Sequence, residues 1–259
     1  MSVKAFPASI ATPATSIDEV ISQLTVIVDW SKDENSRMGY FAALYLKVTV
    51  QIKKGIQENF FDDGPRMERL DVIFANRYIQ ACYQYQTGQT PTESWMRAFD
   101  ETKLWWPIVL QHLLLGMNAH INLDLGIAAA ETVPPGELHE LKGDFDKING
   151  VLASLVGGVL KELAEIWWLM GLLNRYLGSV ENAVINFSMS KARDAAWSFA
   201  ETLSPLSDEQ RQKEIVEKDK VISTFSRVIS HPGFVGSLVT KVIRLGERGT
   251  TRERIEILE

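Results

Sequence analysis

The chain has 259 residues, of which 46% are hydrophobic and 23% are charged, a balance typical of globular domains. Its net charge of −6 argues against a general nucleic-acid binder, because such a protein needs a basic surface. Cys82 is the single cysteine, so an intrachain disulfide is excluded and a reducing compartment is expected.

No membrane-directing segment is predicted. Residues 1–10 contain no continuous apolar stretch of the kind found in signal peptides. The most apolar stretch, residues 151–173, is interrupted by Lys161, Glu162 and Glu165, whereas a spanning helix needs about 20 nearly uncharged residues. We therefore expect a cytoplasmic protein without a transmembrane segment.

Helical periodicity and Pro/Gly breaks predict an all-α fold, a single-domain bundle of roughly eight to ten helices. Residues 1–15 are expected to form a flexible arm, residues 16–246 the helical domain and residues 247–259 a C-terminal tail. The first helix is expected at Ser16, which with Glu19 has the spacing of a capping box. The later helices are expected at 37–58, 65–85, around Trp95 and Phe99, and at 107–132, 137–156, 159–176, 179–203, 207–230 and 234–246. The expected breaks in the second half of the chain are Gly157-Gly158, Gly178, Pro205 and Pro232-Gly233.

The common nucleotide and hydrolase motifs are absent. The sequence has no Gly-x-Gly-x-x-Gly or Walker loop, and no Gly-x-Ser-x-Gly elbow. His139-Glu140 begins like a zinc-protease motif, but Gly143 stands where the second histidine is required. No Glu-x-x-His pair is present for a di-iron bundle.

One polar cluster interrupts the apolar helix predicted at 107–132. Each polar side chain that is buried without a hydrogen-bond partner costs roughly a few kcal/mol of folding free energy. His120 and Asp124 are i,i+4 neighbours, as are Asn118 and Asn122. Gly116, one turn before His120, leaves room for a ligand or another backbone. The polar members of the cluster are Gln111, His112, Asn118, His120, Asn122 and Asp124.

Two hypotheses account for the cluster. In the first, the chain is a small-molecule enzyme with a helix-walled pocket, in which Asp124 orients His120 for acid–base chemistry or metal binding. In the second, a non-catalytic helical protein binds an apolar ligand or a protein partner, and the cluster only fixes packing. The candidate substrate contacts are Asn118, Asn122, His112, Arg77, Asp71 and Asn149. No cofactor or oligomeric state is indicated. Metal ligation by His120 and Asp124 is less favoured than acid–base chemistry, because further ligands at the right spacing are missing.

Several stretches resemble one uncharacterised bacterial family, a domain of unknown function. The most specific is Gly116-Met117-Asn118-Ala119-His120-Ile121-Asn122-Leu123-Asp124-Leu125. Residues 69–78, 144–149 and 192–197 resemble the same family. The resemblance implies an all-helical fold and carries no reaction with it.

A third, weaker alternative is an isoprenoid-cyclase-like enzyme that depends on magnesium. Asn186, Ser190 and Asp194 have a spacing similar to that of the second metal motif of terpene cyclases. The first motif of those enzymes is not matched, because Asp62-Asp63-Gly64-Pro65 is typical of a turn.

Overall fold

A computed structural model describes residues 5–167 and 189–259 of the chain. Within these residues the protein contains eleven α-helices and no strand, which confirms the predicted all-α class. The helices are α1 (Ile17–Asp33), α2 (Met38–Gln57), α3 (Gly64–Gln86), α4 (Glu93–Thr102), α5 (Val109–Ala119), α6 (Leu125–Thr132), α7 (Leu138–Ile166), α8 (Met189–Leu203), α9 (Asp208–Ser230), α10 (Gly233–Gly246) and α11 (Thr251–Leu258).

The helix starts follow local capping chemistry. The Ser16 side chain accepts a hydrogen bond from the Glu19 backbone N–H, as the capping-box prediction requires. The Glu19 carboxylate instead binds the backbone and hydroxyl of Thr15, so the box is only half formed. Asp63 caps α3, and Pro65 occupies the first turn, where its missing N–H has no cost.

The predicted break at Gly157-Gly158 is wrong. Helix α7 runs through both glycines from Leu138 to Ile166. A glycine costs a helix only about 1 kcal/mol and leaves its N–H free to bond, whereas proline removes that bond. Burial of Leu163 and Ile166 against the core favours continuation. The expected break at Gly178 lies outside the described residues.

Residues 5–15 of the predicted arm and residues 247–259 of the predicted tail pack on the helical domain. Within the arm, Ile10 is fully buried, and the Asn76 side chain bonds both the N–H and the carbonyl of Ala14. Within the tail, α11 buries Ile255 and Leu258 beside α1 and α2. Both segments contain apolar residues that pack on the bundle, and this packing fixes their positions.

The span Val109–Thr132 forms the centre of the bundle. It consists of α5, a π-helical turn at His120–Asp124, and α6. Helices α2, α4 and α9 pack on α5, and α3 and α8 pack on α6. Among the described residues it is the one helix that is long and apolar enough to cross a membrane, and 78% of its apolar window is buried inside the protein. Its apolar composition thus also serves the core.

Candidate functional site

The predicted polar cluster lies at a local widening of the central helix. The N–H of Leu125 bonds the carbonyl of His120, an i→i+5 bond, whereas His120 itself still bonds Gly116 in the ordinary α-helical pattern. Single π-turns of this kind inside α-helices are found frequently at functional sites. Here the π-turn spans His120 to Asp124.

Asp124 is held by three donors from three helical segments. Its Oδ1 accepts a 2.8 Å hydrogen bond from Nε of Arg77 on α3. Its Oδ2 accepts from Nε1 of Trp95 on α4 at 2.7 Å and lies 3.2 Å from Nδ1 of His120. The carboxylate is 1% exposed, and the Arg77 side chain is 25% exposed. The predicted i,i+4 contact of His120 with Asp124 is therefore present, and Arg77 joins it.

These contacts set the protonation of the pair. Burial alone raises the pKa of Asp124, but Arg77, His120 and Trp95 together hold it below its ordinary value, so the group is a carboxylate. Burial lowers the pKa of His120 more than Asp124 raises it, so the imidazole is neutral at neutral pH. Because a carboxylate only accepts hydrogen bonds, Nδ1 of His120 carries the proton and Nε2 is an unprotonated acceptor.

Aromatic rings surround the His120 imidazole. Phe74 of α3 stacks on it with ring centres 3.5 Å apart and planes 7° from parallel. Tyr45 meets the ring edge-on at 4.5 Å. Phe74 is only half-buried, whereas His120 is 2% exposed, so Phe74 lies between the imidazole and solvent. The remaining rings within about 6 Å of the imidazole belong to Phe41, Tyr78 and Trp95.

Several buried polar atoms near His120 have no hydrogen-bond partner among the described residues. They include Nε2 of His120, the Tyr45 hydroxyl and Oδ2 of Asp71. Asp71 lies one turn before Phe74 on α3, and burial with the nearby Glu68 raises its pKa to about 8. Burial and the charges of Asp71 and Asp124 raise the pKa of Tyr45. A network that serves packing alone normally satisfies its buried members, so this unused capacity favours a ligand.

Asn118 and Asn122 face a different helix. Nδ2 of Asn118 donates to the carbonyl of Ile222 and to the Ser226 hydroxyl on α9, at 3.1 and 3.0 Å. Its Oδ1 accepts from Asn122 at 2.8 Å. The proposed grouping of Asn118 with His120 and Asp124 on one pocket is not found. Asn118 joins α5 to α9, and its amide is fully used by these contacts and by Asn122.

His112 also lies apart from His120. Its ring packs beside Tyr40, with ring centres 5.6 Å apart. Between the two histidines the Phe41 ring packs on Gly116 so closely that a Cβ there would overlap it. Gly116 thus makes room for a ring of the same chain, in place of the predicted ligand or backbone. His112 is not part of the His120 site.

The remaining predicted residues lie elsewhere. Asn149 is half-buried on α7 and is not among the partners of His120 or Asp124. In residues 5–167 and 189–259, no three His, Cys, Asp or Glu side chains come together as a metal group. His120 and Asp124 alone supply fewer ligands than a protein metal site needs.

The magnesium-motif alternative gains no support from the described residues. Asp194 is exposed on α8, and Asn186 lies outside the described part of the chain. Asp144 of α7 accepts hydrogen bonds from the backbone N–H groups of Asp62 and Asp63 at 2.6 and 3.0 Å. These bonds fix residues 62–63 as a turn, as their composition predicts.

Sequence reasoning missed the aromatic members of the site. Trp95 lies in the short predicted helix, and Tyr45 and Phe74 lie within the helices predicted at 37–58 and 65–85, but the sequence pattern indicates no role for them at the site. Phe74 lies between Asp71 and Tyr78 at i,i+3 and i,i+4 spacing, and this pattern could have placed the three on one helix face. Which helix this face meets depends on the tertiary structure.

The comparisons with known proteins assign a family. The sequence model described as "Family of unknown function (DUF5995)" matches residues 17–232, from the start of α1 to just beyond α9. No curated protein matches the chain, and no solved structure matches it. The match includes Arg77, Trp95, His120 and Asp124 and covers most of the sequence, so the chain belongs to this family of unknown function.

Proposed function

We propose that the protein is a small-molecule enzyme in which His120, oriented by Asp124, acts as a general base. The observation that carries this proposal is the state of the imidazole. Its Nδ1 is held by a carboxylate that Arg77 and Trp95 fix in turn, while its Nε2 is buried and has no partner in the part of the chain that the structure describes. An acceptor left in this state costs about 1–3 kcal/mol unless a ligand donates to it.

The surroundings indicate what kind of molecule fits. Aromatic rings favour a small apolar or planar body. Nε2 of His120 requires a donor, and the Tyr45 hydroxyl can donate to an acceptor on the same ligand. We infer a neutral small molecule that carries a hydroxyl or an acidic C–H beside a carbonyl. Asp71, with its pKa near 8, is suited to return a proton.

Access runs past the two partly exposed members of the site. Phe74 stacks on the His120 ring and is itself half-buried, and Arg77 reaches from the buried carboxylate towards solvent. We infer that a ligand reaches the imidazole by displacing the Phe74 side chain. We also propose a cytoplasmic location, with which the free thiol of the buried Cys82 is compatible.

Binding is tested with phenol, a planar molecule with one hydroxyl donor. With 15N-labelled protein, phenol should shift the Nε2 resonance of His120 and leave the exposed His139 unchanged. His120→Gln should lose saturable phenol binding, and the control His139→Gln should keep it. Saturable binding by His120→Gln equal to that of the unmodified protein would count against the site.

Catalysis is tested by proton exchange, which needs no knowledge of the full reaction. Small ketones in D2O are incubated with the protein, and deuterium at the carbon next to the carbonyl is followed by NMR. A general base at His120 predicts exchange that is lost in His120→Gln and Asp124→Asn but retained in His139→Gln. Phenol binding without exchange in any ketone would favour the alternative, a non-catalytic protein that binds an apolar ligand.

A further inference from the structure

A second group of buried polar atoms lies beside His112, away from the His120 site. Within the described residues neither nitrogen of the His112 ring, which is 4% exposed, makes a full hydrogen bond, and the Pro107 carbonyl acts on the ring only as a weak acceptor. The Tyr40 hydroxyl, the Ser31 hydroxyl and Nε of Arg37 likewise have no hydrogen-bond partner among those residues. Tyr40 packs against the His112 ring, and Ser31 lies against Gly39 next to Tyr40. Within the described residues Tyr40, Ser31 and Arg37 each offer a donor that has no partner.

Positive charge is in excess at this end of the bundle. The charged groups that act on Arg37 are Arg244, Arg254 and Glu247. Glu247 accepts from Arg244 at 2.6 Å and lies 3.3 Å from Arg254, so one carboxylate faces three guanidinium groups. Arg244, Arg254 and Glu247 have side chains only 3–7% exposed, so water screens this charge poorly. Among the described residues these charged groups therefore carry more positive than negative charge.

The protonation of His112 reflects this surplus. Burial, then the charges of Arg37 and Arg244, lower the pKa of the imidazole to about 3, against a smaller opposing effect of the Pro107 carbonyl. The ring is therefore neutral and can donate from one nitrogen. A bound anion would cancel the field of the arginines and raise this pKa.

We propose that Arg37, Tyr40, His112 and Arg244 form a binding site for a small oxyanion, a free phosphate or the phosphate or carboxylate group of a small molecule. An oxyanion is the ligand that both satisfies donor groups and supplies the missing negative charge. Arg37 is half-buried, and Arg244 stacks on the exposed Trp105 at 4.8 Å, so the cluster reaches the surface there. Access therefore does not need the His120 site.

This site is a feature of the whole chain, because its residues come from two regions. Arg37, Tyr40 and His112 lie within residues 17–232, the part that the family model matches. Arg244, Glu247 and Arg254 belong to the segment after it, on and beside α10 and α11. Gly116, on which the Phe41 ring packs, lies one helical turn from each of His112 and His120, so the two sites can be tested separately.

Calorimetry with inorganic phosphate, at constant ionic strength set by sodium chloride, tests the proposal on the full chain. We expect saturable binding and a raised melting temperature. Arg37→Gln should weaken phosphate binding by about tenfold or more, the effect of losing a charge-assisted hydrogen bond. Tyr40→Phe removes one hydroxyl and should weaken it by about three- to tenfold. Arg69→Gln, on an exposed face of α3, is the matched control and should bind normally.

Further measurements identify the oxyanion and keep the test valid if a variant does not fold. Acetate and phenyl phosphate, measured in the same way, distinguish a carboxylate from a free or an attached phosphate group. Ligand binding should raise the pKa of His112 in an NMR titration, a change that needs no variant. If Arg37→Gln does not fold, the phosphate affinity of Tyr40→Phe and the His112 titration test the proposal instead. Absence of saturable binding for all three anions, or normal phosphate binding by folded Arg37→Gln or by Tyr40→Phe, would overturn the proposal.

Discussion

Arg77 and Asp124 form an ion pair that connects the surface to the core. The Nε–Oδ1 distance is 2.8 Å, and the guanidinium side chain is 25% exposed while the carboxylate is 1% exposed. The pair joins α3 to the π-turn of the central helix and orients His120 through the second carboxylate oxygen. Stability and chemistry at this site therefore depend on the same side chain, Asp124.

Asp124→Asn should destabilise the protein by roughly 3 kcal/mol, the lower end of the range for a broken buried pair because Arg77 is partly exposed. The asparagine amide can also donate to Nδ1 of His120, which would favour the other imidazole tautomer. Urea unfolding gives the stability, and 15N shifts of His120 give the tautomer. A variant as stable as the parent, with Nδ1 still protonated, would contradict the assigned geometry.

Gly116→Ala should destabilise the protein by about 1–3 kcal/mol, because the added Cβ overlaps the Phe41 ring in a packed core. Gly150→Ala is the matched control on α7, where nothing lies within 4 Å of the added Cβ. That change should stabilise the protein by about 0.5–1 kcal/mol through helix propensity. Thermal unfolding measures both, and equal effects at the two positions would argue against the Phe41–Gly116 contact.

Asn118→Ala should cost about 2–3 kcal/mol, since three hydrogen bonds of about 1 kcal/mol each join this amide to α9 and to Asn122. Asn122→Ala removes one of them and should cost about 1 kcal/mol. Urea unfolding provides the comparison. Phenol binding at His120 should be unchanged in folded Asn122→Ala, and its loss there would place the amides in the pocket after all.

Asp71 should make stability fall as pH rises. Its pKa is about 8 in the folded protein and about 4 when unfolded, so between these values the folded state holds one proton more. The contribution of protonated Asp71 to the free energy of unfolding is fully present below pH 4 and is lost as pH approaches 8. Asp71→Asn removes this dependence, so its melting temperature should exceed that of the parent increasingly from pH 4 to pH 8. Parallel curves over that range would show that Asp71 is already ionised.

Local sequence patterns determined the starts of several helices and the polar pairs within the central helix. The apolar periodicity, Ser16 and Pro65 predicted where α1 and α3 begin, and both starts are found. The i,i+4 contacts of His120 with Asp124 and of Asn118 with Asn122 are present as hydrogen bonds. Such features depend on residues a few positions apart, whose relative placement follows from helix geometry alone.

Only the tertiary structure decided what each side of the central helix meets. Asp124 is hydrogen-bonded to Arg77 and Trp95, and Asn118 is hydrogen-bonded to α9. The space beside Gly116 is occupied by the Phe41 ring. The same polar segment is therefore divided between a candidate site and an interhelical joint. A helical pattern specifies which residues share a face, but the neighbour of that face is chosen by packing of helices distant in sequence. The identity of the neighbouring helix depends on packing of the whole core, so it cannot be predicted from a short stretch of sequence.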